Sequence, residues 1–405
     1  MRRVRALGQL LALINEEGVS SRAELTARLA LSRSAMGTLL AELEDLGLVQ
    51  VDETSPRRRA GVGRPSHVVR IDPDGPVALA VQLQADSFLV ADVGLGGSLR
   101  DLTAVPLPPE QRADVDSVLD LIIDVAVGRL RQSRRRVVGV GVAVPGLVSR
   151  YDGFVQRAVP LRWVGVPLAQ RLGEGLAQQP GTAWPLVAND EDLAALAEHR
   201  HGSGRGSRYQ LWLAHEHLGL GGALVIEGEL YLGSAGFAME AGHLVVNPHG
   251  RTCWCGSTGC LETEVAQIGL LRSADRDVPD VPDLAGAVDQ LLADAAVGDD
   301  AAVLAVQRAG RYLGIGLGTL VNILNPDRIV VGALLARLID FAEAVVTEHI
   351  RERSLVGAAA EVPIVAGKLE RPALVGAGDL ALQALLDDPA IAGRLPAARR
   401  AATPS

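Results

Sequence analysis

The chain has 405 residues, 48% of them apolar, and a formal net charge of −9. That length exceeds what one hydrophobic core serves, and that apolar content excludes a disordered chain, so two or three packed domains are expected. The charge would exclude a nucleic-acid partner if it were evenly spread, but residues 1–71 hold 11 arginines against eight acids, a net of +3, which leaves −12 on the rest.

Arg2, Arg3 and Arg5 lead into an amphipathic segment and not into the apolar stretch of a secretory leader. No apolar run reaches the roughly 18 residues of a membrane span, so a cytoplasmic protein with no membrane partner is expected. Leu7, Leu10, Leu11 and Ile14 recur at i, i+3, i+4 and i+7, which predicts a first helix ending near Gly18. Ser21 followed by Glu24 is a capping box and announces a second helix that buries Leu25 and Leu29. After a turn through Leu31, Ser32 caps a third helix whose Met36, Leu39, Leu40 and Leu43 share one face. Three short helices with a tight turn before the third are the arithmetic of a helix-turn-helix. Alternating residues 48–51 and 67–71 then predict two strands of a β-wing around an Arg- and Gly-rich loop. Arg57, Arg58, Arg59 and Arg64 of that loop suit DNA phosphates or a narrow minor groove, while Ser32, Arg33, Ser34 and Thr38 of the third helix are expected near base edges. A small helical domain that binds another protein is the alternative.

Turn formers from Asp72 to Pro76 mark the break between this head, residues 1–72, and the body. Buried strands are predicted at 77–83, 88–93, 137–144, 186–188 and 223–226, interleaved with helices such as 118–130. The body is therefore α/β, expected as one lobe over 73–188, rejoined by a helix at 376–388, and a second over 189–375. The tail after Asp388 is expected to fray.

Cys253, Cys255 and Cys260 fall within eight residues of one another and are the only cysteines, which in a cytosolic chain reads as metal binding before disulfide. A structural zinc site takes four soft or borderline ligands in a closed tetrahedron, and His243 supplies the fourth. Three reduced cysteines beside a histidine with another role are the alternative.

Several of these segments together resemble the ROK family, which groups repressors, open reading frames and sugar kinases on an actin-like two-lobed fold. Leu31-Ser32-Arg33-Ser34 with Gly63-Arg64-Pro65 looks like the DNA-binding head of its repressor branch. The stretches 139–146 and 163–168 are similar to family segments around the sugar cleft. The more specific matches are Asn189-Asp190, Glu240-Ala241-Gly242-His243 and the Cys253 to Glu262 knuckle. The resemblance implies that Asn189, Asp190, Glu240, His243 and Glu262 bind a sugar or sugar phosphate, Asp190 standing where the family's kinases keep their general base. It further implies that His243 serves both metal and sugar. Asn189-Asp190 by itself also reads as a turn or helix cap.

The sequence departs from the kinases at its first body strand. There Val81-Gln82-Leu83-Gln84-Ala85-Asp86-Ser87 stands in place of an Asp-x-Gly-Gly-Thr phosphate loop, and close backbone approach to phosphate needs glycine. Lys368 is the sole lysine, so no Walker A tripeptide exists either. Gly219, Gly221 and Gly222 read either as a second phosphate turn or as a plain hairpin. The leading expectation is a sugar-responsive DNA-binding regulator without kinase activity, working as a homodimer or homotetramer on operator DNA, with sugar closing the lobes. The alternatives are an ATP-dependent sugar kinase with an appended head, and a scaffold for another protein.

Overall fold

The computed structural model describes residues 2–57, 66–177, 184–216 and 219–396. In the head, helix α1 (Arg2–Glu17) buries Leu7, Leu10, Leu11 and Ile14. After it come strand β1 (Val19–Ser21), α2 (Arg22–Arg28) and α3 (Arg33–Asp45). The capping box forms: Ser21 Oγ accepts the Glu24 amide while Glu24 accepts the Ser21 amide. Ser32 Oγ likewise accepts the Ala35 amide and starts α3, whose Met36, Leu39, Leu40 and Leu43 are buried. Leu29, expected in the core, is only partly buried. The wing strands β2 (Val49–Arg57) and β3 (Ser66–Ile71) form an antiparallel sheet of order β1-β3-β2. The three residues of β1 are too few to show a period, and only their pairing with β3 makes them a strand.

The chain divides into two compact units, residues 1–193 with 371–405, and residues 194–370. The first unit continues with β4 (Val77–Leu83), β5 (Ser87–Gly94), β6 (Ser98–Pro106), α4 (Pro109–Arg112), α5 (Val115–Gln132) and β7 (Val137–Val144). Then come β8 (Leu147–Val148), β9 (Val155–Ala158), β10 (Trp163–Val166), α6 (Leu168–Leu176), β11 (Leu186–Asn189) and α7 (Asp190–His201), the last of which runs into the second unit. The second unit holds β12 (Tyr209–Glu216), β13 (Gly219–Ile226), β14 (Glu229–Leu230), α8 (Leu261–Val265), α9 (Gln267–Ser273), α10 (Val281–Ala296) and α11 (Asp300–Leu324). It closes with β15 (Arg328–Gly332), α12 (Ala333–Arg353), α13 (Leu355–Ala359) and β16 (Ile364–Ala366), and α14 (Pro372–Asp387) returns the chain to the first unit.

Each unit carries a five-stranded sheet of the same connectivity. The orders are β11-β7-β4-β5-β6 and β16-β15-β12-β13-β14. In both, the first three strands form an antiparallel meander and the next two add in parallel beside the first. Such strands are covered on both faces, which is why β4 is buried at every position and shows no alternation.

The head does not hang from a tether. Its Leu7, Leu10, Leu11 and Ile14 share one core with Ala78, Val138, Leu382, Leu385 and Leu386 of the body and with Ala392 of a 3₁₀ turn at Pro389–Arg394. The ordered chain thus extends past Asp388, because Ala392 has an apolar surface to cover. Two polar contacts add to the seam. Buried Asn15 accepts the Gly96 amide at 2.7 Å, and the Arg136 guanidinium donates to the carbonyls of Leu46, at the end of α3, and Ala392. Helix α1 approaches α14 closely at Gly8, where a Cβ would stand 2.6 Å from the Leu386 carbonyl.

Helix α14 also lies against the first sheet, and a Cβ at Gly141 of β7 would overlap the carbonyl of Ala377. Backbone must separate from backbone to admit it, so Gly141→Ala is expected to destabilise the first unit by about 3 kcal/mol, the upper part of the usual overpacking range. A thermal melt reads this as a lowered midpoint; an unchanged midpoint would mean that α14 does not pack there.

Candidate functional site

The second unit gathers the three cysteines and His243. His243 ends a single 3₁₀ turn, Ala241–His243, and the cysteines lie on the knuckle that leads into α8. One ligand atom from each of the four lies within 4.8 Å of all the others. Cys255 Sγ and Cys260 Sγ are 3.7 Å apart, and Cys253 Sγ stands 3.6 Å from His243 Nδ1. A tetrahedron with Zn–S near 2.3 Å and Zn–N near 2.0 Å has edges of about 3.6–3.8 Å, so the donor set fits zinc. The same spacing is too long for a disulfide, whose sulfurs are about 2.05 Å apart, and all three thiols are free. Glycine shapes the knuckle: Gly259, at φ +73°, leaves no room for a Cβ beside the Asn247 carbonyl. Burial pushes the Cys253 thiol up and the Cys260 thiol up to about 12, whereas Cys255 is held below its ordinary value, first by the Ser257 amide.

Around this knuckle stand two of the other expected sugar ligands. Glu262, in the first turn of α8, is 7% exposed and accepts the Leu220 amide on Oε2 at 3.1 Å and the Trp254 indole N–H on Oε1 at 2.8 Å. Partial desolvation raises the Glu240 carboxyl above its usual range although the residue as a whole is exposed; His243 opposes the rise and Glu262 adds to it. Glu240, His243 and Glu262 therefore share one electrostatic neighbourhood. His243 turns Nδ1 to Cys253, which leaves Nε2 as its other polar atom.

Asn189 and Asp190 lie in the first unit, at the junction of β11 and α7. The Asn189 amide is engaged at both ends, donating to the Gly146 carbonyl at 2.9 Å and accepting the Asp192 amide at 2.9 Å. Its second bond caps α7, so the capping role is present whatever else the residue does. Asp190 Oδ1 accepts the Glu191 amide, and the helix N-terminus favours its negative charge.

The hairpin joining β4 to β5 is closed on itself. Ser87 Oγ shares its one proton between Gln84 Oε1 and Asp86 Oδ1, the Gln84 amide donates to the Ser87 carbonyl, and Gln82 and Gln84 are buried. Gly219, Gly221 and Gly222 are residues of β13, paired with Glu216, Ala214 and Leu213 of β12, so the plain-hairpin reading applies to them.

In the head, Ser32, Arg33, Ser34 and Thr38 are exposed together at the N-terminal half of α3. Thr38 Oγ1 bonds the Ser34 carbonyl, and the Arg33 carbonyl accepts the Arg22 guanidinium, which ties α2 to the start of α3. Farther along, Glu44 and Asp45 are exposed, and Glu42 pairs with Arg3. Arg57 ends β2, while Arg58, Arg59 and Arg64 lie outside the described residues.

Residues 84–384 match the ROK family. The chain belongs to the ROK family. Ahead of the ROK body, residues 3–60 match the MarR family, in agreement with a winged-helix head. The DNA-binding transcriptional repressor Mlc of Escherichia coli is 27% identical over 366 residues, 86% of this chain and 85% of its own. A glucokinase of Halalkalibacterium halodurans is 31% identical over 245 residues, 58% of this chain and 72% of its own. Among solved structures, a ROK family transcriptional regulator homologous to E. coli Mlc superposes with a TM-score of 0.76 at 25% identity, covering 95% of this chain and 97% of that one. No helix among the described residues is long and apolar enough to cross a membrane.

Two residues of the ROK body escaped the sequence reading. Glu264, two positions after Glu262, is 1% exposed; it accepts Asn247 Nδ2 at 3.0 Å and faces the guanidiniums of Arg251 and Arg308, each at 3.7 Å. It holds the knuckle against α11. Trp254 is the other, and its signal was its place between two cysteines in a chain that is only 3% aromatic.

Proposed function

We propose that this ROK protein is a sugar-responsive DNA-binding transcriptional regulator, a repressor, that binds its effector without phosphorylating it. The observation that carries the reading is the fusion itself. A winged helix that exposes Ser32, Arg33, Ser34 and Thr38 shares one core with a ROK body, and a likeness over nearly the whole chain joins it to a regulator of the same build. In this reading a sugar or sugar phosphate is bound by Asn189, Asp190, Glu240, His243 and Glu262. The His243, Cys253, Cys255 and Cys260 set holds a structural zinc, because a closed four-ligand site leaves no position for water or substrate. Zinc there fixes the knuckle, while His243 Nε2 is left for a hydroxyl. A homodimer or homotetramer places paired heads on two operator half-sites.

The self-closed hairpin at Gln84 to Ser87 supports loss of kinase activity. It offers no glycine to a phosphate, and Asp86 sets a negative charge where phosphate would lie. The 31% identity to a glucokinase favours the second reading, a working sugar kinase with an appended head. One titration separates the two. The full chain is expected to bind a pyranose calorimetrically with no sugar-dependent ATP turnover, and Asp190→Asn and Glu262→Gln each to cost about 1.5–3 kcal/mol of sugar affinity, the worth of a charge-assisted hydrogen bond. ATP turnover that requires the sugar and vanishes in Asp190→Asn would establish the kinase.

A further inference from the structure

Trp254 stands between Cys253 and Cys255 and is 49% exposed. Its indole N–H donates to Glu262 Oε1 at 2.8 Å, and its ring meets the His243 imidazole edge-on, with centroids 4.7 Å apart and planes at 81°. The other carboxylate oxygen of Glu262 is held by the Leu220 amide, a backbone donor that cannot leave without moving β13. The indole is the partner that a side-chain rotation can remove.

We propose that Trp254 is a built-in competitor that sets affinity at the sugar site: its indole N–H occupies the position on Glu262 Oε1 that a sugar hydroxyl takes, and binding exchanges one donor for the other. The inference rests on the reading of Glu262 as a sugar ligand. A buried carboxylate without a donor is costly, so the indole keeps the empty site satisfied, and only a pyranose that presents a hydroxyl at this point compensates for its departure. A ring with that hydroxyl inverted or replaced leaves the indole in place and binds weakly. The competitor's cost therefore falls on the sugar that presents the hydroxyl, so Trp254 sets how tightly that sugar binds while the ligands themselves discriminate.

The test uses the full-length protein with D-glucose, D-xylose, N-acetyl-D-glucosamine and glucose 6-phosphate as probes. Wild type, Trp254→Phe, Trp254→Leu and Glu262→Gln are compared by calorimetry and tryptophan emission. Trp254→Phe keeps a ring beside His243 and removes the N–H donor, so the Kd of the sugar that wild type prefers is expected to fall about 2- to 12-fold, the equivalent of one net hydrogen bond. Trp254→Leu is expected to move Kd in the same direction. Binding is expected to shift wild-type emission, and that shift to be absent from Trp254→Phe although Trp163, Trp184 and Trp212 remain. Zinc content equal to wild type in both variants shows an intact knuckle, and loss of zinc from both would make Trp254 a structural residue and overturn the proposal. Equal or weaker sugar binding by both variants, with Glu262→Gln still impaired, overturns the role of Trp254 and leaves the sugar site standing. Binding of none of the four probes by wild type or either Trp254 variant removes the sugar site and this inference together.

Discussion

Cys255→Ser is expected to strip the metal from the protein and abolish its response to sugar while leaving DNA binding in place. Wild type should copurify with one zinc per chain. A serine hydroxyl ligates zinc poorly at neutral pH, so the variant keeps three ligands of a closed tetrahedron and should retain less than about a tenth of the metal. Cys255 is the informative position because it is exposed, whereas Cys253 and Cys260 are buried and their replacement would also disturb packing. Structural zinc is worth about 10–16 kcal/mol in small zinc domains, far more than the hydrogen bonds that remain between residues 251 and 259 of the knuckle. Trp254, Glu262 and His243 would lose their geometry with it. The head belongs to the other unit and has no share in the site, so a promoter fragment should still be bound and sugar should no longer affect it. Elemental analysis and a DNA-shift titration with and without sugar check this. Well under one zinc per wild-type chain, after purification without chelators, would sink the metal assignment.

DNA binding by the full chain is expected to collapse with salt and to separate into two mutational classes. If the four arginines of the wing each meet a phosphate in both heads of a dimer, contacts number about eight. Affinity should then fall about 10³- to 10⁵-fold between 50 and 200 mM salt. The exposed acids at the C-terminal half of α3 oppose phosphate, so the N-terminal half, with Arg33 beside Ser32 and Ser34, is the end expected to enter the groove. Arg33→Ala should cost about 1–3 kcal/mol on the operator and relax preference at one base pair. Replacing Arg57, Arg58, Arg59 and Arg64 should weaken all sequences alike and flatten the salt slope by about 0.9 for each phosphate lost. Fluorescence anisotropy on operator and scrambled duplexes measures both. Failure to bind any fragment of its own promoter region at low salt, with and without sugars, would remove DNA from the account.

What the sequence determined by itself was local. The capping box at Ser21, the Ser32 cap and the period of Leu7, Leu10, Leu11 and Ile14 fix the head helices because a cap is satisfied within three residues and a helical face within one or two turns. Three cysteines within eight residues fix the knuckle for the same reason: the donors cannot be far apart. The tertiary structure decided whatever joins distant residues. β1 becomes a strand only by pairing Val19 with Arg70. The double engagement of Asn189 needs the Gly146 carbonyl, 43 residues earlier. The occupation of Glu262 by Trp254 depends on how the knuckle folds back, since a spacing of eight carries no information about which way an indole points. Above all, the union of head and lobe rests on α1 meeting α14 and on Arg136 reaching both Leu46 and Ala392, the latter 256 positions away. No periodicity reports such a meeting, because the apolar faces of α1 and α14 are each complete as patterns and only the folded chain settles which surface each one covers.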